Sequence, residues 1–336
     1  MKKTFIKNIL LLIFVFLLSI IIPTGKENTT IFTVSNDKYL GQVQLGGDTI
    51  GIQIKTKVEI VGKYEVVVDN EKIKPWENSN ILDGDYIYSI NDIIINSNKD
   101  VNDIINNTKD KELKLRIIRN NKDIITYINV IKKSDGRNSI GLYIKDHITG
   151  IGTLTFVNKE TNKYGALGHN INDALSKGLL YDSSIKGIKK AVKGIPGEKY
   201  ATLSANNIGT IDENINIGIF GSYNKETNNE IVNVIKSDFV KKGKAQIVTV
   251  ISGNIIKKYD IEIVEVDKQS STNIKGIKFK VIDKELLQET GGIIQGMSGS
   301  PIIQDGNLIG AVSHVVVNDP SYGFGVFAEW MYYKTL

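Results

Sequence analysis

The chain has 336 residues, of which 41% are hydrophobic and 24% charged, with a formal charge of +5; that is room for two domains with real cores. Its Lys and Arg are scattered rather than clustered, which argues against nucleic acid as a partner. The absence of cysteine removes disulfides, thiolate metal sites and a cysteine nucleophile together, and neither a metal nor a cofactor is expected.

Lys2, Lys3 and Lys7 precede an apolar run from Ile9 to Ile22, broken only by Ser19 and ended by Pro23-Thr24-Gly25. A basic flank before such a run is the pattern of a secretory signal or short signal anchor. No small-x-small cleavage site follows, so residues 1–25 read as an uncleaved membrane anchor. Positive-inside bias then places the rest of the chain outside the cytoplasm. Residues 26–37 are polar and read as a tether.

Residues 38–133 form short β-branched runs broken by Gly, Asn and Asp, with one helical insert. Leu45-Gly46-Gly47-Asp48-Thr49-Ile50-Gly51-Ile52 is a glycine-rich loop running into an alternating strand. Leu82 to Asp92 reads as turn, strand, turn; Asp100 to Ile105 as a short helix; Leu113 to Arg119 as a strand closed by Asn120-Asn121. This succession resembles a PDZ domain. The resemblance implies that an extended peptide adds to the strand after the glycine-rich loop, in a groove bordered by Gly46, Gly47, Ile50 and Ile52. The alternative is a β-rich spacer that binds nothing.

A boundary falls at Ser134 to Asn138, and residues 134–336 form the second domain. Strands are expected at Ser139 to Tyr143, Gly152 to Val157, Lys189 to Val192, Ile217 to Ile219, Ala245 to Ser252, Tyr259 to Val266 and Ile277 to Ile282, followed by a C-terminal pair. Many short strands with Gly/Asn turns and no long amphipathic helix point to a barrel or sandwich.

Near the end stands Gly296-Met297-Ser298-Gly299-Ser300-Pro301. Gly296 and Gly299 permit a sharp turn around Ser298, and such a turn can aim the N–H groups of Gly296 and Ser298 at a developing oxyanion. A serine nucleophile needs a base, and the chain has three histidines. His147 sits in a polar segment and reads as a surface residue. His169 follows a hairpin among small residues, Gly165-Ala166-Leu167-Gly168, which lets backbone approach its ring. His314 lies on a strand one hairpin after the serine, either lining the cleft with Ser313 or half-buried in the sheet. A third member would be a carboxylate orienting the base. Asp173, Asp182, Asp212, Asp238, Asp260, Asp267 and Asp283 lie between His169 and Ser298, and spacing does not choose among them. Asp283 ends a strand before a helical turn, where capping is its alternative role.

The run from Glu289 to Gln304, with Gly310-Ala311-Val312-Ser313-His314-Val315 and Asn318-Asp319-Pro320 behind it, is similar to the stage IV sporulation protein B family of serine peptidases. Gly150 to Phe156 and Gly165 to His169 match that family's histidine region, and Tyr322, Gly323, Gly325, Val326, Glu329, Trp330 and Met331 match its C-terminal block. The resemblance implies a mainly β chain: an N-terminal anchor, a PDZ-like domain, then a chymotrypsin-like double β-barrel. It also implies a triad of Ser298 as nucleophile, His169 as base and Asp283 as acid. Met297 stands where activated trypsin-like enzymes carry an Asp that pairs with a newly cut N-terminus, so that activation is not expected. Members of the family act between mother cell and forespore. They cleave themselves and then a membrane-bound regulator that restrains an intramembrane metalloprotease, whose release matures a late sigma factor. The rival readings are a non-enzymatic PDZ-containing scaffold and an extracytoplasmic quality-control protease.

Overall fold

Runs of Ile, Val and Thr alternating with polar residues extend into strands, because branched side chains pack well on a pleated surface. A computed structural model describes residues 37–172, 174–268 and 272–336. The anchor and nearly all of the tether lie outside them. Among the described residues no helix is long and apolar enough to cross a membrane.

The chain begins with β1 (Tyr39–Leu45) and the long β2 (Thr49–Lys63). It then makes the hairpin β3 (Val66–Val68) and β4 (Glu71–Ile73), the pair β5 (Tyr86–Ile90) and β6 (Ile93–Ile94), and helix α1 (Asn98–Asn107). Next come β7 (Glu112–Arg119), β8 (Lys122–Asn129), β9 (Ile131–Lys132) and β10 (Asn138–Ser139). In this part Ile60, Ile87, Leu113 and Leu115 share a core with Val101 and Ile105 of α1. Ser97 caps α1, its Oγ accepting from the Asp100 N–H at 3.3 Å.

Seven strands follow: β11 (Leu142–Asn158), β12 (Lys163–Ala166), β13 (Ala174–Lys189), β14 (Glu198–Ile211), β15 (Glu213–Ile215), β16 (Gly218–Ser222) and β17 (Ile231–Ile235). Pairing runs β2–β11–β12–β16 and β14–β13–β2. The bridge Gly209–Tyr223 joins β14 to the end of β16 and closes the ring. The result is a barrel around Ile50, Ile52, Leu154, Tyr164, Leu180 and Ile219.

The last elements are β18 (Gly243–Val250), β19 (Ile256–Val266), β20 (Ile277–Val281), α2 (Lys284–Thr290), β21 (Pro301–Gln304), β22 (Asn307–Val315), β23 (Tyr322–Phe327) and α3 (Ala328–Tyr333). Here the circuit β18–β19–β20–β23–β22–β21–β18 is antiparallel throughout and closes on itself. Ile247, Ile261, Phe279, Ile302 and Phe327 fill this second barrel. β1 pairs with β11 and β17, and β17 meets β22 in parallel at Val234–Leu308, tying the barrels together.

The mainly β expectation holds, and two others need correction. The cut after residue 133 does not separate two bodies, because β1 and the first half of β2 are barrel strands. The groove at Gly46, Gly47, Ile50 and Ile52 is filled. The Gly46 and Gly47 N–H groups donate to Thr155 O and Leu154 O at 2.9 and 2.8 Å. Ile50 and Ile52 are buried in the first barrel, and β2 is paired on both edges there, with β11 and with β13. A peptide has no free edge to join.

Candidate active site

The loop from α2 to β21 carries the serine. Met297 is fully buried in the second barrel's core and pins the loop, while Ser298 beside it is half-buried. Gly299 has φ +90°, and a Cβ there would collide with Thr153 O and the Leu167 backbone. Met297 N donates to Ile294 O at 3.1 Å, Gly299 N to Val312 O at 2.7 Å and Ser300 N to Met297 O at 2.9 Å. The Gly296 and Ser298 N–H groups have no acceptor among the described residues. Two free backbone donors, one of them the half-open serine's own N–H, are what an acyl-transfer oxyanion requires.

β11 clamps this loop through residues that the sequence reading assigned no role. Thr153 Oγ1 donates to Gly296 O at 2.8 Å, Thr153 N to Ser298 O at 2.9 Å, and Thr155 Oγ1 to Gly299 O at 2.7 Å. Both threonines are fully buried. Replacing Thr153 with isosteric Val leaves a buried carbonyl unsatisfied, so it is expected to cost about 1–3 kcal/mol. A thermal melt reads this, and an unchanged Tm would refute the clamp.

His169 follows two left-handed residues, Leu167 (φ +69°) and Gly168 (φ +68°), at the end of β12. Such a φ is uncommon for leucine and marks a constrained site. His169 Nδ1 lies 2.7 Å from Asn170 O. A carbonyl only accepts, so Nδ1 carries the proton and Nε2 is left as the base. The first barrel therefore meets the serine loop here. Gly299 abuts Leu167 and bonds Val312 O, and an added Cβ at Gly168 would meet the same Val312 carbonyl at 2.9 Å.

His314 on β22 faces this junction, its ring centroid 5.4 Å from that of His169 at a tilt of 51°. Its Nδ1 is buried with no hydrogen-bond partner among the described residues. Burial first, then the charges of His169 and Lys275, hold its pKa below the usual imidazole range, favouring the neutral ring. Ser313 does not line the cleft: it is buried, and Oγ donates to Ile274 O at 2.5 Å and Phe324 O at 3.2 Å. His147 is exposed on the outer half of β11, beside Asp146 at 2.9 Å, as a surface residue would be.

Asp283 takes the capping role instead. Its Oδ1 accepts from Leu286 N at 2.9 Å at the start of α2, and its Oδ2 from Asp260 N at 3.3 Å. The reason is local: a chain leaving β20 for a short helix needs an acceptor for the helix's free N–H groups. Neither Asp283 nor any other described carboxylate makes an ion pair or hydrogen bond with His169; Asp173 lies outside the described residues. Asp283→Ala is expected to cost about 1 kcal/mol in stability and to leave turnover within about threefold. A loss near 10⁴-fold in the folded variant would instead mark a triad acid.

Beside the serine loop lies an open cavity of about 470 Å³, lined by Gly150, Ile151, Tyr200, Leu203, Gln295 and Gly296 among others. Lys199 borders it and is buried, its Nζ 2.9 Å from Thr249 Oγ1.

Among solved structures, the chain is similar to the Rv3671c protease from M. tuberculosis in its active form, at 15% identity and a TM-score of 0.35, over 54% of this chain and 70% of that one. No curated protein matches it. The family described as SpoIVB peptidase S55 matches residues 136–332, a span that takes in the serine loop, His169, His314 and the clamping threonines. With more than half of its length so matched, the chain belongs to the SpoIVB peptidase S55 family.

Proposed function

We propose that this peptidase is a serine endopeptidase with chymotrypsin-like paired barrels, Ser298 its nucleophile and His169 its general base. The observation that carries the reading is the pair of unoccupied N–H groups, Gly296 and Ser298, on either side of Met297 in a clamped turn. His169 Nε2 takes the Ser298 Oγ proton as Oγ attacks the substrate carbonyl carbon. The oxyanion that forms accepts from the two N–H groups. The imidazolium then protonates the leaving amine, and water hydrolyses the acyl-serine by the same route. Asn170 O holds the ring in the working tautomer, and neutral His314 packs beside it.

Family membership supports the biological setting proposed for it: an extracytoplasmic, membrane-anchored signalling enzyme of sporulation that cleaves itself and a membrane-bound regulator. A PDZ-like role falls on the part around α1. A cavity of about 200 Å³ between α1 and the start of β11 is lined by Val101, Ile105, Leu142 and Ile144, with Arg137 among its lining residues. An extended peptide end fits that slot, which polar Asn102, Lys133 and Asn138 also line, better than the filled loop at Gly46.

A fluorophosphonate probe tests the enzyme reading. Covalent labelling mapped to Ser298 is expected, together with cutting at one or two sites in a natural substrate. No labelling of the folded chain would favour the scaffold, and broad degradation of unfolded casein would favour quality control.

A further inference from the structure

Lys199 carries an ammonium that the chemistry above does not use. On β14 its neighbours Glu198 and Tyr200 are half-buried and exposed, while Lys199 itself is 3% exposed. Its Nζ donates to Thr249 Oγ1 on β18 at 2.9 Å, the sole acceptor for it among the described residues, and Thr249 is fully buried. A buried cation with one neutral partner is destabilising unless something offsets it.

Its surroundings show where the charge is placed. The Lys199 methylenes lie against Gly296: an added Cβ at Gly296 would meet Lys199 Cδ at 3.0 Å, Cβ at 3.1 Å and Cγ at 3.2 Å. Lys199 N donates to Gln295 O at 3.0 Å, and Gln295 N to Gly197 O at 2.9 Å, so β14 is bonded to the residue just before Gly296. The ammonium, two bonds beyond Cδ, is thus carried beside the turn that presents an oxyanion donor. It is out of water, where a charge acts more strongly.

Resting on the serine-peptidase reading, we propose that Lys199 is a positioning residue for the oxyanion. Its buried ammonium, held by Thr249 beside Gly296, favours the negative charge that develops at the Gly296 and Ser298 N–H groups. No bond to Lys199 forms or breaks; it acts through the Gly296 turn and its field.

The sign of the pH dependence follows. Burial alone lowers the Lys199 pKa to about 7. Thr249 on β18 and Gly296 on the serine loop face it, and neither carries charge. The cation is therefore present below about pH 7 and lost above it, so its help to catalysis fades on the alkaline side. Stability runs the other way. An unfolded lysine titrates near ~10.4, so the penalty is full below about pH 7 and is relieved as the pH rises towards ~10.

The test compares the full chain with Lys199→Met, which keeps the length without the charge, and with Lys199→Arg, which keeps the charge. The readouts are fluorophosphonate inactivation of Ser298, split into kinact and KI, its pH profile, and Tm. Lys199→Met is expected to lower kinact about 10–100-fold with KI unchanged, and to lose the alkaline limb near pH 7. It should also melt several degrees higher at pH 6, with the gap closing towards pH 10. Lys199→Arg should keep kinact and move the limb beyond pH 10. An unchanged kinact in Lys199→Met overturns the proposal while leaving the peptidase reading intact. So does a fall in kinact and Tm together with the limb in place, which would mean mere packing. If Lys199→Met fails to fold, a Lys199→Arg variant that keeps its limb at pH 7 overturns it as well. Wild-type chain that takes no label at Ser298 overturns both readings.

Discussion

Ser298→Ala is expected to abolish fluorophosphonate labelling and to lower peptide hydrolysis by roughly 10⁶-fold, with Tm unchanged within about 1 °C. The physical basis is the division of labour in the loop. Met297 is fully buried and anchors the turn, whereas Ser298 is half-buried and its Oγ makes no hydrogen bond with a described residue. Removing the hydroxyl therefore deletes the proposed nucleophile and little else. His169→Ala should be about as severe, and the double variant no worse than either, because residues acting as one unit are not additive. Substantial hydrolysis by folded Ser298→Ala would end the assignment.

Gly299→Ala is expected to damage both fold and activity. At φ +90° an alanine is strained, and its Cβ would meet the Thr153 carbonyl and the Leu167 backbone, none of which is a side chain that can swing aside. A destabilisation of about 2–4 kcal/mol follows, read as a Tm lower by roughly 5–10 °C. Activity should fall by about 100-fold or more, because a shift near 1 Å at the reacting atoms costs that much. Both contacts belong to the first barrel, so the substitution loosens the seam that places Ser298 near His169. Wild-type Tm and turnover in Gly299→Ala would mean that the seam is not tight.

The sequence made some of this legible because the chemistry is locally concentrated. Gly296 to Pro301 is one short turn, and with so few histidines the small residues around His169 single it out as the leading base. The helix of the α1 part and several strands follow from alternation and turn residues. The long β13 and β14 were not expected, and no strand runs from Lys189 to Val192. Other features were hidden because they join distant segments. Thr153 clamps Gly296 from 143 residues away. Lys199 reads as one more surface lysine until β14 turns it inward against Thr249. Asp283 stands where the family resemblance implies the triad acid, yet the helix that follows it claims its oxygens.

By itself, then, the sequence determined a β-rich chain with a serine turn, a short list of bases and a family. These are properties of adjacent residues, whose conformational limits and side-chain chemistry do not depend on distant contacts. Only the tertiary structure decided that β1 and β2 complete a barrel, that Gly46 and Gly47 are spent on Leu154 and Thr155, and that His314 lies against His169. It also decided that Lys199 is buried against Gly296 of the serine loop. Strand register and barrel closure set those contacts, and both are fixed by how whole faces bury together rather than by any stretch read alone.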